Sequence, residues 1–239
     1  MNINSKTIRD YQKTIEAIFP KNDKAGPLSF KEWRSNVQLI RDMLMVDYTE
    51  NCVEKIRIDE EFSPNFAASK KAAIDAVYNE AVELSQELAR RKLSETVSAK
   101  RELFHKAMKA PTEEQLRLLQ VLSMRQHVGS DEIHYFAESL ADNLPALRCL
   151  GEISEKNDIP FPAILDGEDL ERLLNQATSA ADKYISSIGI GPDDLQYEHR
   201  LFWTTSRPYR ESSVVDILDA PGFMRMNVNE HGDAGNAAS

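Results

Sequence analysis

Two histidines, His127 and His134, and the acids Asp131 and Glu132 between them come nearest in this sequence to a metal or catalytic site. Two imidazoles bind a metal from one helical face when they lie one turn apart. His127 and His134 are seven residues apart, and Gly129 between them is typical of a break between two helices. The segment therefore predicts a turn and not a site.

The same turn gives the acids a structural role. Gly129 is predicted to take the left-handed conformation just past a helix end, and Ser130 to cap the next helix. Asp131 and Glu132 then place negative charge at the positive end of that helix dipole. His127 is predicted near the carbonyl end of the preceding helix.

Other reactive side chains form no recognisable site. Cys52 and Cys149 are far apart and lack a CxxC or Cys/His arrangement, which indicates neither a disulfide framework nor zinc and fits a reducing cytoplasm. The familiar phosphate, dinucleotide, serine-nucleophile and zinc-protease motifs are absent from the sequence. The sequence predicts no catalytic residue, no cofactor and no metal. The enzymatic alternative requires carboxylates to meet His105, His127 or His134 in a buried pocket.

The charge of the chain argues against nucleic acid as a partner. With 29 basic and 39 acidic side chains the formal charge is −10, which repels a phosphate backbone. The basic clusters 70–71, 90–92 and 100–101 are flanked by acids and predict solvated helix faces. The candidate recognition helix, 130–141, is acidic. The alternative function is a helical regulator that binds nucleic acid through basic residues of several helices, or binds another protein.

The elements that would position any site are predicted to be all-α. The sequence has only 9 glycines and 28% charged residues, which suits a mostly helical chain. No apolar run approaches the roughly 20 residues that cross a bilayer, so a soluble protein is expected. Helix starts are predicted where Ser29 is followed by Glu32, where Thr112 is followed by Gln115, and at Asn143. The segment 46–63 fits either a helix or an extended piece.

A long central helix is predicted over 66–108, because that segment contains no proline or glycine. At 1.5 Å per residue it would span roughly 60 Å. Its apolar residues are separated by steps of four and three, as in a coiled coil, and predict self-association through Ala73, Val77, Ala81, Leu84 and Leu88. The alternative is an ordinary long helix in a monomeric bundle.

The remaining segments are predicted to form a helical cluster and a tail. The leucine-rich helix after Thr112 is predicted to be buried on more than one side, and short helices follow up to residue 190. The tail, 191–239, is predicted to be irregular and partly disordered. Its aromatic segment either packs back on the body or docks on a partner, through Tyr197, Leu201, Phe202, Trp203 and Tyr209. The predicted divisions are 1–62, 63–110, 111–190 and 191–239.

The middle of the chain resembles known proteins in its pattern. The run from Thr112 to Lys156, preceded by the long charged helix, resembles small helical proteins encoded among the structural genes of tailed bacteriophages. That resemblance implies a role in virion assembly, as a scaffold-like or minor structural protein. It also implies association with itself and with another protein, such as a coat or head protein, in the host cytoplasm or the virion.

Overall fold

The structure is a computed structural model that describes residues 6–19, 28–189, 214–219 and 224–225. It is an all-α fold with one long helix and several shorter ones, as the sequence predicts. Its elements are α1 (Ile8–Ile18), α2 (Phe30–Glu61), α3 (Pro64–Ala107), α4 (Glu113–Met124), α5 (Ser130–Ser139), α6 (Leu144–Lys156), β1 (Ala163–Ile164), α7 (Gly167–Ser186), α8 (Val214–Leu218) and β2 (Met224–Arg225).

The chain divides into two compact units, each made of two separate parts of the sequence. The first unit comprises Met1–Thr96 and Thr178–Phe202, and the second comprises Val97–Ala177 and Trp203–Ser239. The chain therefore passes from one unit to the other inside α3 and again inside α7.

The first unit is built on a helical hairpin. The Ser29 side chain accepts a hydrogen bond from the Glu32 amide, and the Glu32 carboxylate accepts from the Ser29 amide, which confirms the predicted capping box. α2 then continues without interruption to Glu61, so residues 46–61 of the undecided segment are helical. Phe62 and Ser63 make the turn, and Pro64 occupies the first position of α3, where its missing amide costs no hydrogen bond.

α2 and α3 run antiparallel through this hairpin. Near one end, Trp33 Nε1 donates to the carbonyl of Ala89 at 3.0 Å. Nearer the turn, Lys71 Nζ donates to both carboxylate oxygens of Asp59, at 2.6 and 2.8 Å. The sequence numbers of the bonded partners rise along α2 as they fall along α3, as they must in an antiparallel pair. The long helix α3 therefore packs against α2 of the same chain.

Residues at the end of α7 complete the first unit. The Tyr184 hydroxyl donates to the Gln38 side chain, and the Arg41 guanidinium lies over the Tyr184 ring at 4.6 Å from its centroid. Gln86 donates to the carbonyl of Ile188 at 3.1 Å. These contacts attach a segment from late in the chain to both helices of the hairpin.

The second unit contains α4, α5 and α6, which belong to the predicted cluster of short helices. The Thr112 and Gln115 capping box and the Asn143 cap are confirmed, the latter accepting from the Ala146 amide at 2.9 Å. The prediction for Gly129 and Ser130 was wrong. Gly129 has φ −81° and is itself the cap of α5, while Ser130 is the first helical residue.

Two further predictions about the second unit were wrong. α4 is buried on one side only, through Leu119 and Leu122; Leu118 is half-buried, and the other large apolar side chains of the helix are exposed. α4 also ends at Met124, so His127 lies beyond its carbonyl end. α4 has more large apolar residues than one packed helix face can bury, so the remaining ones lie on the surface.

The part of the tail that the structure describes packs on the second unit. Val214, Val215 and Leu218 of α8 are buried, and Lys100 Nζ lies 3.0 Å from Asp219 Oδ1. β1 and β2 pair antiparallel over two residues each. Pairing between segments about 60 residues apart leaves no local sequence signal, so neither strand was predicted.

Candidate functional site

A groove of about 610 Å³ lies in the first unit, bordered by α1, α2 and α3. Its polar end is formed by Lys6, Asp10, Tyr11 and Asp47. Its wall on α3 is formed by Ala73, Ile74, Val77 and Tyr78, and Glu50, Asn51, Glu54, Arg57, Ile58 and Lys70 complete the lining. We call this feature the Asp47 groove.

Asp47 is the buried acid of this groove. It is 2% exposed, although it lies in the middle of α2. Its Oδ1 accepts a hydrogen bond from Lys6 Nζ. Its Oδ2 is the only buried side-chain nitrogen or oxygen among the described residues that lacks a hydrogen bond of normal geometry, and the Tyr11 hydroxyl lies close enough to the carboxylate to interact with it. Because a buried carboxylate is costly unless it is fully paired, this half-paired acid calls for a functional explanation.

Two tyrosines flank Asp47. Burial raises the pKa of the Tyr11 hydroxyl, and the negative charge of Asp47 raises it further. Burial also raises the pKa of Tyr78 to about 12, with smaller contributions from Tyr48 and Asp47. Both phenols therefore stay neutral at physiological pH. Tyr78 donates to the Leu44 carbonyl across the hairpin at 3.4 Å.

Several other charged residues of the groove have partners of their own. Asp10 accepts from the backbone amide of Thr7 at 3.0 Å and from its hydroxyl, and these bonds lower the pKa of Asp10. Arg57 lies 3.4 Å from Glu54. Lys70 lies 5.2 Å from the centroids of the Phe62 and Phe66 rings, outside the groove's polar end.

The arrangement suits binding of a cation through Asp47. Among the described residues, the lining of the Asp47 groove contains no histidine, cysteine or serine. Within residues 6–19, 28–189, 214–219 and 224–225, no three His, Cys, Asp or Glu side chains group as metal ligands. His105, His127 and His134, the histidines of the enzymatic alternative, are all exposed.

A second groove, of about 700 Å³, lies on the second unit beside α6. Its lining includes Arg148, Glu152 and Glu155, and Arg148 donates to the carbonyl of Leu165 at 3.0 Å. No side-chain polar atom of this lining is both buried and without a partner. The Asp47 groove is therefore the stronger candidate for a binding site.

The residues predicted for self-association occupy different environments on α3. Ala81 and Leu88 are buried within the chain's own fold, Val77 and Leu84 are half-buried, and Ala73 is exposed. The face of α3 that packs includes polar residues that an apolar pattern overlooks. These are Ser85 and Thr96, whose hydroxyls donate to the carbonyls of Ala81 and Lys92.

The residues predicted for partner docking, Tyr197, Leu201, Phe202, Trp203 and Tyr209, lie outside the described residues. Their role stays a prediction.

The sequence did not reveal an apolar line on the outer face of α2. Leu39, Val46 and Val53 follow one another at intervals of seven residues, Ile56 lies beside them, and each is more than half exposed. Seven residues make nearly two helical turns, so these side chains form one line along the helix. We call it the α2 stripe. The alternation of apolar residues on both faces had obscured the pattern.

In each of the three basic clusters at least one cation pairs with an acid. Lys71 pairs with Asp59, Lys92 with Glu95, and Arg101 with Glu171, whose carboxylate accepts two hydrogen bonds of 2.7 Å. That bidentate pairing lowers the pKa of Glu171. Cations held by neighbouring acids offer little net positive charge to a phosphate backbone.

Comparisons with known proteins leave the assignment to the chain's own geometry. No protein-family model, no curated protein and no solved structure matches the chain. Among the described residues, no helix combines the length and apolar character needed to cross a membrane.

Proposed function

We propose that the chain is a non-enzymatic assembly component that associates with a second copy of itself through the α2 stripe. The observation that carries this proposal is the exposed apolar line of Leu39, Val46, Val53 and Ile56. It extends over roughly 26 Å at 1.5 Å per residue. Large apolar side chains aligned at seven-residue intervals are the pattern by which one helix packs on another.

A second copy is the partner that the spacing favours. A two-fold axis at Val46 places Leu39 of one copy against Val53 of the other, because each lies seven residues from Val46. A self-complementary patch of this kind is what a symmetric dimer requires. The axis makes the two copies of α2 antiparallel.

The charges along α2 favour the same orientation. Its first turns carry Lys31, Glu32 and Arg34, two positive charges and one negative, for a net +1. Its last turn carries Arg57, Asp59, Glu60 and Glu61, one positive charge and three negative, for a net −2. An antiparallel pair places the unlike ends together, whereas a parallel pair places like ends together.

The resemblance to structural proteins of tailed bacteriophages supplies the setting. In a phage particle or its precursor, the proposed dimer is a scaffold-like or minor structural component. A coat or head protein is then its second partner. The aromatic segment that contains Phe202 and Trp203 is the proposed contact with that partner.

Sedimentation or light scattering over a concentration series tests the dimer. The wild-type chain is expected to dimerise, and Val46→Glu with Val53→Glu to remain monomeric with an unchanged helical circular dichroism spectrum. Val121→Glu is the matched control, since Val121 is an equally exposed valine on α4. A monomeric wild type at every concentration, or a dimer that survives both glutamates, would refute the proposal.

Cysteine crosslinking tests the orientation. In a background with Cys52 and Cys149 changed to serine, Leu39→Cys and Val53→Cys chains are mixed and oxidised. The antiparallel dimer gives a mixed disulfide between them. Disulfides only between identical chains would show a parallel contact instead.

A further inference from the structure

We propose that the Asp47 groove is a binding site for a primary alkylammonium group, which takes the position on Asp47 that Lys6 Nζ occupies. This site is separate from the α2 stripe, so it stands or falls independently of the dimer. Three features of the groove support it: the buried carboxylate, the apolar wall and the position of Lys6.

The carboxylate selects the charge and the shape of the ligand. Asp47 is 2% exposed, so its buried charge must be offset by a cation, either Lys6 Nζ or a ligand that replaces it. An ammonium is compact and has only donors, which matches an acceptor-only carboxylate. A guanidinium forms its best contact with both carboxylate oxygens at once, and the burial of Oδ2 disfavours that approach.

The surroundings of the ammonium position strengthen this selection. Lys6 Nζ lies 5.8 Å from the centroid of the Tyr11 ring, at a distance where the face of an aromatic ring attracts a cation. The Tyr11 ring is 4% exposed and is therefore a fixed part of the groove. The ring and the carboxylate together define a place for one ammonium group.

The rest of the groove suits a hydrocarbon chain. Ala73, Ile74 and Val77 line the groove from one side of α3. Methylene groups laid against these side chains are removed from water, at about 0.8 kcal/mol for each CH₂ that is fully buried. A bare metal ion gains nothing from such a wall, whereas an alkylammonium uses both the wall and the acid.

Lys6 is placed so that it can be displaced. Its side chain is 49% exposed, in contrast to the 3% of Asp47. It also precedes Thr7, the cap of α1, so its side chain can leave the groove without unwinding a helix. Lys6 is thus a resident competitor with the same chemistry as the ligand, four methylenes and an ammonium.

Thermal shift and calorimetric titration with 1-aminopentane test the site. Lys6→Ala removes the competitor and is expected to tighten binding of 1-aminopentane about tenfold. A gain of this size corresponds to a groove that Lys6 occupies about nine-tenths of the time, because only the remaining tenth is then open to the ligand. Lys109→Ala is the control for the loss of one positive charge, since Lys109 is exposed in the second unit and does not line the groove. It is expected to keep the wild-type affinity.

Two further measurements separate the carboxylate from simple apolar binding. Adding Asp47→Asn to Lys6→Ala is expected to abolish binding of 1-aminopentane. If that double variant does not fold, 1-pentanol on Lys6→Ala replaces it, because the alcohol has the same chain length and no charge. Equal affinity for the amine and the alcohol, or no gain in Lys6→Ala, would overturn the proposal.

The source of the ammonium is distinguished in the same titrations of Lys6→Ala. Tighter binding of 1,5-diaminopentane than of Nα-acetyl-lysine N-methylamide identifies a free amine as the ligand class. Comparable or tighter binding of the lysine derivative identifies a lysine side chain of another protein. Binding of neither compound contradicts the site.

Discussion

Trp33 and Ala89 are joined across the hairpin by a buried hydrogen bond, in which the indole Nε1 donates to the alanine carbonyl at 3.0 Å. Both residues are fully buried. The small side chain of Ala89 lets the indole approach the α3 backbone closely enough for this bond. The pair therefore fixes the register of α2 on α3 across a sequence separation of 56 positions.

Trp33→Phe removes the donor and part of the ring from this contact. We expect a loss of about 2 kcal/mol in the free energy of unfolding, from the hydrogen bond and the space left behind. Urea denaturation followed by circular dichroism measures it. Tyr135→Phe, at an exposed position of α5, serves as the control and should change stability by less than about 0.5 kcal/mol. A similarly small effect at Trp33 would show that this contact is not structural.

Gly189→Ala is expected to be strongly destabilising, by about 2 to 4 kcal/mol. Gly189 has φ +88°, and an added Cβ would lie 2.6 Å from Val82 Cγ2. Gly129→Ala is the matched control, because nothing lies within 4 Å of its added Cβ and its φ is −81°. Melting temperatures of the two variants compare them directly. Combining Gly189→Ala with Val82→Ala should recover only the part of the lost stability that comes from the steric clash, because the backbone strain at position 189 remains.

Alkaline pH is expected to weaken the first unit through Tyr78. Its pKa is raised to about 12 in the folded chain, from 10.0, so its stabilising contribution is complete below pH 10 and is lost as the pH rises from 10 to 12. In that range the unfolded phenol ionises while the folded one keeps its proton. The slope approaches about 1.4 kcal/mol per pH unit for one such group.

The measurement is the free energy of unfolding at pH 8, 10 and 11, for wild type and for Tyr78→Phe. The phenylalanine variant loses only a 3.4 Å hydrogen bond to Leu44 and should show a shallower alkaline decline. Identical slopes for the two proteins would contradict a raised pKa at Tyr78.

Lys100→Met is expected to release the described part of the tail. Lys100 and Asp219 form a 3.0 Å ion pair in which the side chains are only 15% and 8% exposed. Removing the lysine leaves a buried carboxylate, at a cost of about 3 kcal/mol. Limited proteolysis should then cut near α8 faster than in wild type. Lys100→Met with Asp219→Asn should regain part of the protection, because the carboxylate charge that lost its lysine is removed as well.

Local signals of the fold could be predicted, because the residues that carry them are close together in sequence. Ser29 with Glu32 and Thr112 with Gln115 bond within one turn, so the helix starts were readable. The continuous run of helix formers after Pro64 likewise predicted α3. Gly129 was misplaced because glycine is favoured both after a helix end and as a cap, and only the backbone conformation decides between them.

The candidate site could not be predicted, because its defining contacts are long-range. Asp47 resembles any acid of a solvated helix until Lys6, 41 positions earlier, and Tyr11 are packed against it. The α2 stripe was hidden for a different reason. Its residues, such as Val53, alternate with buried ones such as Ile58, so the segment shows no single apolar face.

The division of each unit between two stretches of sequence sets an order of events during synthesis. The α2 and α3 hairpin is made long before Tyr184 and Ile188, which contact Gln38 and Gln86. At 5 to 20 residues per second, the ribosome adds the 88 residues between 96 and 184 in roughly 4 to 18 seconds. For that interval the nascent hairpin lacks its final cover. A chain that stops at residue 177 would keep this immature state permanently.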